Sequence, residues 1–222
     1  MKILITAAEE EEIITARQAY NSLAKEKKER IEVTFMLTGI GSTSTSYRLT
    51  KMLCSSGPFD LAVNIGIAGS FSHSFPIGST AIIKKEYFGD LGFETFNGFQ
   101  TLFDYNALDA DTYPFKSGAL ISPGLSDEIE RALNMYDRAT GVTVQTVSGL
   151  PEKTKQLRSN FLPEIESMEG AAFFYVCIQE KVPFIEIRSV SNEVGERDRT
   201  KWNIPLALDS LKEAMKNLFS AL

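Results

Sequence analysis

Short apolar runs alternate with amphipathic stretches along this 222-residue chain. Residues 2–6, Lys-Ile-Leu-Ile-Thr, read as a buried strand. From Ala7-Ala8 the pattern becomes helical, opening on Glu9 to Glu12 and closing on Lys25 to Arg30. That order of charge complements a helix dipole at both ends. Residues 31–38 predict a second strand, and Gly39-Ile40-Gly41-Ser42 a turn that caps a helix running to about Ser55. Residues 60–65 predict a third strand, ended by Gly66-Ile67-Ala68-Gly69-Ser70, and residues 79–86 a fourth. The stretch 87–116 is aromatic, Gly-rich and irregular.

Strands are predicted at 119–122 and 141–147, around a helix at 124–136, with a short helix or loop at 151–161. The helix after Ser167-Met168-Glu169 reads Ala-Ala-Phe-Phe-Tyr-Val-Cys, apolar all round and therefore buried. A strand at 184–191 precedes a closing helix at 204–222, whose core face is read as Leu206, Leu208, Leu211, Met215 and Leu218. The alternation predicts an α/β protein, a three-layer α/β/α sandwich with a central mixed sheet, as one domain over residues 1–222. Ligands in such folds bind at the carboxyl ends of the strands. That selects Ala7 to Glu12, Gly39 to Ser42, Gly66 to Ser70 and Ser191 to Trp202.

Composition narrows the chemistry. The chain is 43% hydrophobic and 23% charged, which excludes collagen-like, disordered and coiled-coil classes. A net charge of −6 without a basic run argues against nucleic-acid and anionic-membrane partners. No apolar run approaches the ~20 residues of a membrane span. The N-terminal apolar run is too short for a signal segment, so the cytoplasm is the expected compartment. Cys54 and Cys177 are far apart in sequence, and both are expected to be buried free thiols. The single histidine, His73, lies in a polar loop. Catalysis is therefore expected to run on carboxylates, amides and backbone, with no metal and no cofactor.

Gly39-x-Gly41 lacks the third glycine of a dinucleotide fingerprint and reads as a tight turn. Glu12 shares a helical face with Ala16, Ala19 and Leu23, which is the inward face. A carboxylate there needs a task or a partner, although acidic residues in a first helical turn are also common. Glu169 stands at the start of the buried helix, where Gly170 and Ala171 allow close backbone approach. It suits hydroxyl binding, or it is simply a satisfied carboxylate at a helix N-terminus. Alternation places Arg188, Val190 and Asn192 on one strand face. The Asn192 amide could read a purine edge, or it forms the turn that ends the strand.

Taken in order, these segments resemble the nucleoside phosphorylase and nucleosidase superfamily over nearly the whole chain. The segments are Ala7-Ala8-Glu9-Glu10-Glu11-Glu12, Thr38-Gly39-Ile40-Gly41, Asn64-Ile65-Gly66-Ile67-Ala68-Gly69, Ser167-Met168-Glu169-Gly170-Ala171-Ala172 and Arg188-Ser189-Val190-Ser191-Asn192. The likeness is greatest to the branch of methylthioadenosine nucleosidases and futalosine hydrolases. It implies that Glu12 activates the attacking water. It also implies that Gly66 and Met168 contribute to the substrate site, that Glu169 binds the ribose hydroxyls and that Asn192 reads the base. Trp202 takes the aromatic position that serves bulky 5′ groups.

Departures from the pattern separate the members. Where phosphorolytic relatives place an Arg and a Ser for phosphate, this chain has Asn64 and Ile67, which favours water as nucleophile. Asn192 replaces the Asp of adenine-releasing enzymes, which favours a 6-oxopurine. Gly89-Asp90-Leu91-Gly92-Phe93-Glu94 and Asn192 to Asp198 look like segments of futalosine hydrolases. The expected function is hydrolysis of a 5′-modified purine nucleoside, futalosine first, with release of hypoxanthine. A methylthioadenosine-type nucleosidase, a phosphorylase and a non-catalytic nucleoside sensor are the alternatives. The resemblance further implies a homo-oligomer, with residues 87–103 as a candidate interface, and Arg197 or Arg199 as partners for a substrate carboxylate.

Overall fold

The computed structural model describes residues 1–96 and 98–222. The strands, numbered in chain order, are β1 (Lys2–Ala7), β2 (Glu32–Leu37), β3 (Leu61–Ser70), β4 (Thr80–Phe88), β5 (Gly92–Thr95), β6 (Gly98–Thr101), β7 (Leu120–Ile121), β8 (Asp137–Thr143), β9 (Ile165–Ser167) and β10 (Phe184–Glu193). The helices are α1 (Glu10–Asn21), α2 (Lys25–Lys28), α3 (Ser42–Ser56), α4 (Asp127–Ala132), α5 (Pro151–Phe161), α6 (Gly170–Gln179) and α7 (Ile204–Ala221).

The sheet is mixed. β1 pairs in parallel with β2 and β3, and β3 continues in parallel with β10. β10 runs antiparallel to β4, β4 parallel to β8, β8 parallel to β9, and β9 antiparallel to the last residues of β3. The pairings β3–β10–β4–β8–β9–β3 therefore close a ring, from which β1 and β2 extend as an open wing. Ile3, Ile5, Val63, Ile65, Ile185 and Ile187 face one core with α1 and α7. Leu4, Ala62, Ala68, Phe184 and Val190 face the other, with α3 and α6. The expected three-layer α/β/α sandwich is observed, with part of its sheet rolled into a ring.

Several expected boundaries moved. The helix read over 7–30 breaks at Ser22 to Ala24, so the basic end belongs to the separate α2 and not to α1. The strand expected at 141–147 lies at 137–143. Its polar start, Asp137-Arg138, hides the extended segment from an apolar-run reading. The helix at 124–136 contracts to α4, six residues long. A β5–β6 hairpin sits inside the stretch read as irregular. β9 was not expected, because three residues with a central Glu166 carry no apolar run. The buried face of α7 is Ala207, Leu211, Ala214, Met215, Leu218 and Phe219, while Leu206 is exposed on the first turn. Cys177 is buried, but Cys54 is exposed, because the inward face of α3 is Ser42, Thr45, Leu49 and Leu53.

β3 runs through Gly66 instead of stopping there. Gly66 pairs with Arg188 across the β3–β10 ladder. A Cβ on Gly66 would stand 2.1 Å from Arg188 Nη1 and 2.9 Å from Glu12 Oε1. The glycine is the room that the guanidinium occupies. Gly66→Ala should therefore lower the free energy of unfolding by about 1–3 kcal/mol. Gly124→Ala, with nothing within 4 Å of the added atom, should stay within about 0.5 kcal/mol of wild type. Urea midpoints of the two variants check this, and equal midpoints would contradict the packing argument.

Candidate active site

Glu12, Met168, Glu169, Asn192 and Trp202 line one cleft of about 150 Å³ at the carboxyl ends of β1, β3 and β10. Gly66 lies beneath its wall. The same cleft is lined by Glu9, Ile67, Gly69, Ser148, Glu166 and Arg197.

Glu12 occupies the third position of α1 and completes a capping box with Glu9. Its Oε2 accepts the Ala8 and Glu9 N–H groups, each at 3.1 Å, and its Oε1 accepts the Ile67 N–H at 2.9 Å. A carboxylate offers about four acceptor directions. Three main-chain donors thus lock the side chain and leave one direction for a molecule in the cleft. Burial pushes its pKa up to about 7, against the pull of Arg188 and the Ile67 N–H. Glu12 therefore sits where it can exchange a proton near neutrality. Glu12 thus caps the helix and also lines the cleft.

Glu169 stands at the N-cap of α6 and reaches the opposite helix start. Its Oε1 accepts the Gly41 N–H at 2.9 Å, at the N-terminus of α3. Its Oε2 lies 3.7 Å from Arg188 Nη2. Gly39 and Gly41 have φ of +73° and +88°, which shapes the turn that presents this N–H. Met168 is fixed next to it, its carbonyl accepting from Ser42 Oγ at 3.2 Å.

Arg188 is 1% exposed. Burial works against its charge, but Glu186, Glu169 and Glu12 more than offset this and hold its pKa above the ordinary value. Sequence alternation placed it on a strand face without a role. The signal was a charged residue inside a strand flanked by Ile185, Ile187 and Val190.

At the other end of the cleft, Asn192 and Glu166 flank one glycine. Gly69 pairs with Asn192 across β3–β10 and with Glu166 across β3–β9. The two side chains thus border a strip of bare backbone roughly 10 Å across from strand to strand. Asn192 does not follow strict alternation, since the register shifts between Val190 and Asn192. Its Nδ2 donates to the Glu193 carbonyl at 2.9 Å, and its Oδ1 accepts from Ser191 Oγ at 2.9 Å. One amide hydrogen and one lone pair stay available. Glu166 accepts from Ser148 N at 3.1 Å and from Ser148 Oγ at 2.5 Å. Burial raises its pKa, against the bonds from Ser148. Sequence reasoning missed Glu166, whose short strand gave no periodic signal.

The Trp202 Nε1–H donates to the Glu196 carbonyl at 3.1 Å, and Arg197 and Arg199 lie over the ring at 5.1 and 5.7 Å. Arg197 lines the cleft and Arg199 does not. Asn64 is fully buried below the cleft, where its Oδ1 accepts from Thr6 Oγ1. His73 is exposed in its loop. Among the described residues no group of acidic, His and Cys side chains has metal-site geometry, and no helix is long and apolar enough to cross a membrane.

Comparison with known proteins identifies the family. The Phosphorylase superfamily profile matches residues 8–222. The futalosine hydrolase of Thermus thermophilus is 30% identical over 84% of this chain and 80% of its own. The 5′-methylthioadenosine/S-adenosylhomocysteine nucleosidase of Bacillus velezensis is 28% identical over 91% of this chain and 90% of its own. Among solved structures, a futalosine hydrolase mutant of Helicobacter pylori shares the fold with a TM-score of 0.78 and 18% identity, covering 100% of this chain and 98% of that one. The chain belongs to the phosphorylase superfamily, and within it to the N-glycosyl hydrolases.

The raised pKa of Glu12 has a consequence for stability. Its folded value of about 7 lies above its ordinary 4.5. Between the two, the folded state binds more proton than the unfolded state, so stability falls as pH rises. Glu12 alone should remove about 3 kcal/mol across that window. Glu86 and Glu186, whose values are also raised by burial, act in the same direction. Urea unfolding as a function of pH checks this, and stability that rises through the same window would contradict it.

Proposed function

We propose that this protein hydrolyses the N-glycosidic bond of a 5′-modified purine nucleoside. Futalosine is the substrate and hypoxanthine the released base, a step of menaquinone biosynthesis by the futalosine route. One observation carries the hydrolytic reading. Glu12 is locked by three main-chain donors at the cleft, with one acceptor direction open and a pKa of about 7. The cleft lining supports water over phosphate as nucleophile. It holds four carboxylates, Glu9, Glu12, Glu166 and Glu169, against one guanidinium, Arg197. A phosphate dianion would meet mostly like charge there.

In this reading the C1′–N9 bond opens through an oxocarbenium-like state. Glu12 takes a proton from the attacking water. Glu169 accepts from the ribose hydroxyls, and its charge favours the developing cation. Met168 packs under the ribose, and Gly66 serves the site by admitting Arg188. The base leaves as its anion, stabilised by a hydrogen bond from Asn192 to O6 or N7, and takes its proton from solvent, while Glu166 accepts the N1–H that a 6-oxopurine carries and adenine lacks. Trp202 walls the 5′ side, and Arg197 pairs with the substrate carboxylate. A methylthioadenosine-type activity is the second reading, since the nucleosidase of Bacillus velezensis aligns over more of the chain than the futalosine hydrolase of Thermus thermophilus.

The enzyme works as a cytoplasmic homo-oligomer in this proposal. Phe93 and Tyr105 stack at 4.4 Å, and both rings and Phe96 are exposed, which supports a second copy covering residues 87–103.

Futalosine, inosine and methylthioadenosine should be compared with and without phosphate, following free base. Phosphate-independent release of hypoxanthine from futalosine is expected, and phosphate-dependent release would reject the reading. Glu12→Gln should lower turnover by roughly 10²–10⁴-fold while equilibrium binding of substrate persists. Near-normal turnover would remove Glu12 from its role. Asn192→Asp should shift preference toward 6-aminopurine nucleosides, and unchanged relative kcat/KM values would contradict the base assignment. Because Glu12 acts as a base, kcat/KM should rise with pH through a limb near 7.

A further inference from the structure

Beneath the cleft lies a second acidic centre that the hydrolytic reading does not use. Glu86 on β4 and Glu186 on β10 are both fully buried. Their carboxylates converge on Gly170, the first residue of α6. The point where a Gly170 side chain would begin lies 2.4 Å from Glu86 Oε1, and 2.6 and 2.8 Å from the Glu186 oxygens. Gly141 on β8 likewise has no side chain, and a Cβ there would stand 2.0 Å from Glu86 Oε1.

The hydrogen bonds around this pair leave one arrangement open. Ala171 N–H donates to Thr143 Oγ1 at 2.7 Å, so the threonine hydroxyl donates onward to Glu86 Oε2 at 2.9 Å. On the other side, Arg188 Nε donates to Glu186 Oε1 at 2.7 Å. The remaining oxygens, Glu86 Oε1 and Glu186 Oε2, are buried without a partner among the described residues. Both oxygens lie within 2.8 Å of the one point at Gly170, and two buried acceptors brought that close cannot both stay anionic and unbonded. One proton between them satisfies both. The geometry points to a shared proton, resident on Glu86 Oε1 and donated to Glu186 Oε2, which makes Glu186 the anion that positions Arg188.

The location of the proton follows from the neighbours. Arg188 touches Glu186 and not Glu86, so the cation keeps Glu186 ionised and leaves Glu86 as the neutral acid. Among the described residues, Glu169 also acts on the pair and shares Arg188 with Glu12, and Cys177 on α6 faces Glu186, its thiol raised by burial and by that carboxylate. Burial and mutual repulsion raise Glu86, and burial raises Glu186, consistent with one proton retained. Held through Nε by Glu186, the guanidinium keeps Nη2 toward Glu169, where it makes no hydrogen bond of its own. Glu186 thereby sets how much of the Arg188 charge reaches Glu12. This consequence rests on the hydrolytic reading, while the shared proton does not.

The two parts have separate tests. An infrared difference spectrum between wild type and Glu86→Gln, with isotope-labelled Glu, should be taken about two pH units above the Glu12 value. The C=O stretch of one protonated carboxyl group is expected in wild type and lost in the variant. Gln mimics the protonated acid, with its amide donating to Glu186 Oε2 and its oxygen accepting from Thr143. No such band in wild type overturns the shared proton, whatever the enzyme hydrolyses. For the positioning role, Glu186→Gln should move the acidic limb of kcat/KM about one pH unit lower, because Arg188 then acts more fully on Glu12. A limb that stays in place overturns the positioning role and leaves the hydrolytic reading intact.

Discussion

A guanidinium is buried at the centre of this protein, and the surrounding structure has to accommodate it. Taking an isolated charge out of water costs several kcal/mol even after relaxation. Arg188 is accommodated because three carboxylates from three elements meet it. They are Glu186 on its own strand, Glu169 at the start of α6 and Glu12 in the first turn of α1. Glycine does the rest. Gly66 makes room for the guanidinium, and Gly170 and Gly141 make room for the acids behind it. The ring of strands is what brings these positions together, since β3, β10, β4, β8 and β9 each contribute a residue to the centre or to the cleft above it.

The arrangement divides into two tiers. In the upper tier, Glu12 and Glu169 reach the cleft, each fixed by main-chain N–H groups from other elements. Such preorganised acceptors need no rearrangement during a reaction that builds positive charge on a sugar. In the lower tier, Glu186 holds the guanidinium from below, with Glu86 and Thr143 behind it. Removing Arg188 would leave uncompensated carboxylates in both tiers, a change expected to cost stability and function together.

Much of the upper tier was legible in the sequence. Glu12 could be placed on an inward helix face by its spacing to Ala16 and Ala19, and Glu169 by the apolar helix it starts. Asn192 was placed at a strand end, although the bulge beside it was invisible to a period-two argument. The lower tier was not legible. Glu186 lies between Ile185 and Ile187, a pattern that alternation assigns to a solvent face. The strand is in fact covered on both faces, so its polar positions point into a second core. Glu86 follows Lys84-Lys85 and reads as the polar end of β4. The closure of the sheet depends on β9, three residues with no apolar run, and on the length of β3 beyond Gly66. Both arise from tertiary pairing, which a local pattern does not encode.

The central claim is that a water molecule held by Glu12 attacks the anomeric carbon. The direct measurement is a turnover of futalosine in oxygen-18-labelled water with phosphate present, followed by mass spectrometry of the sugar product. One labelled oxygen at C1′ and no phosphate ester is the predicted result. A C1′ phosphate ester, with no label taken from water, would contradict the account.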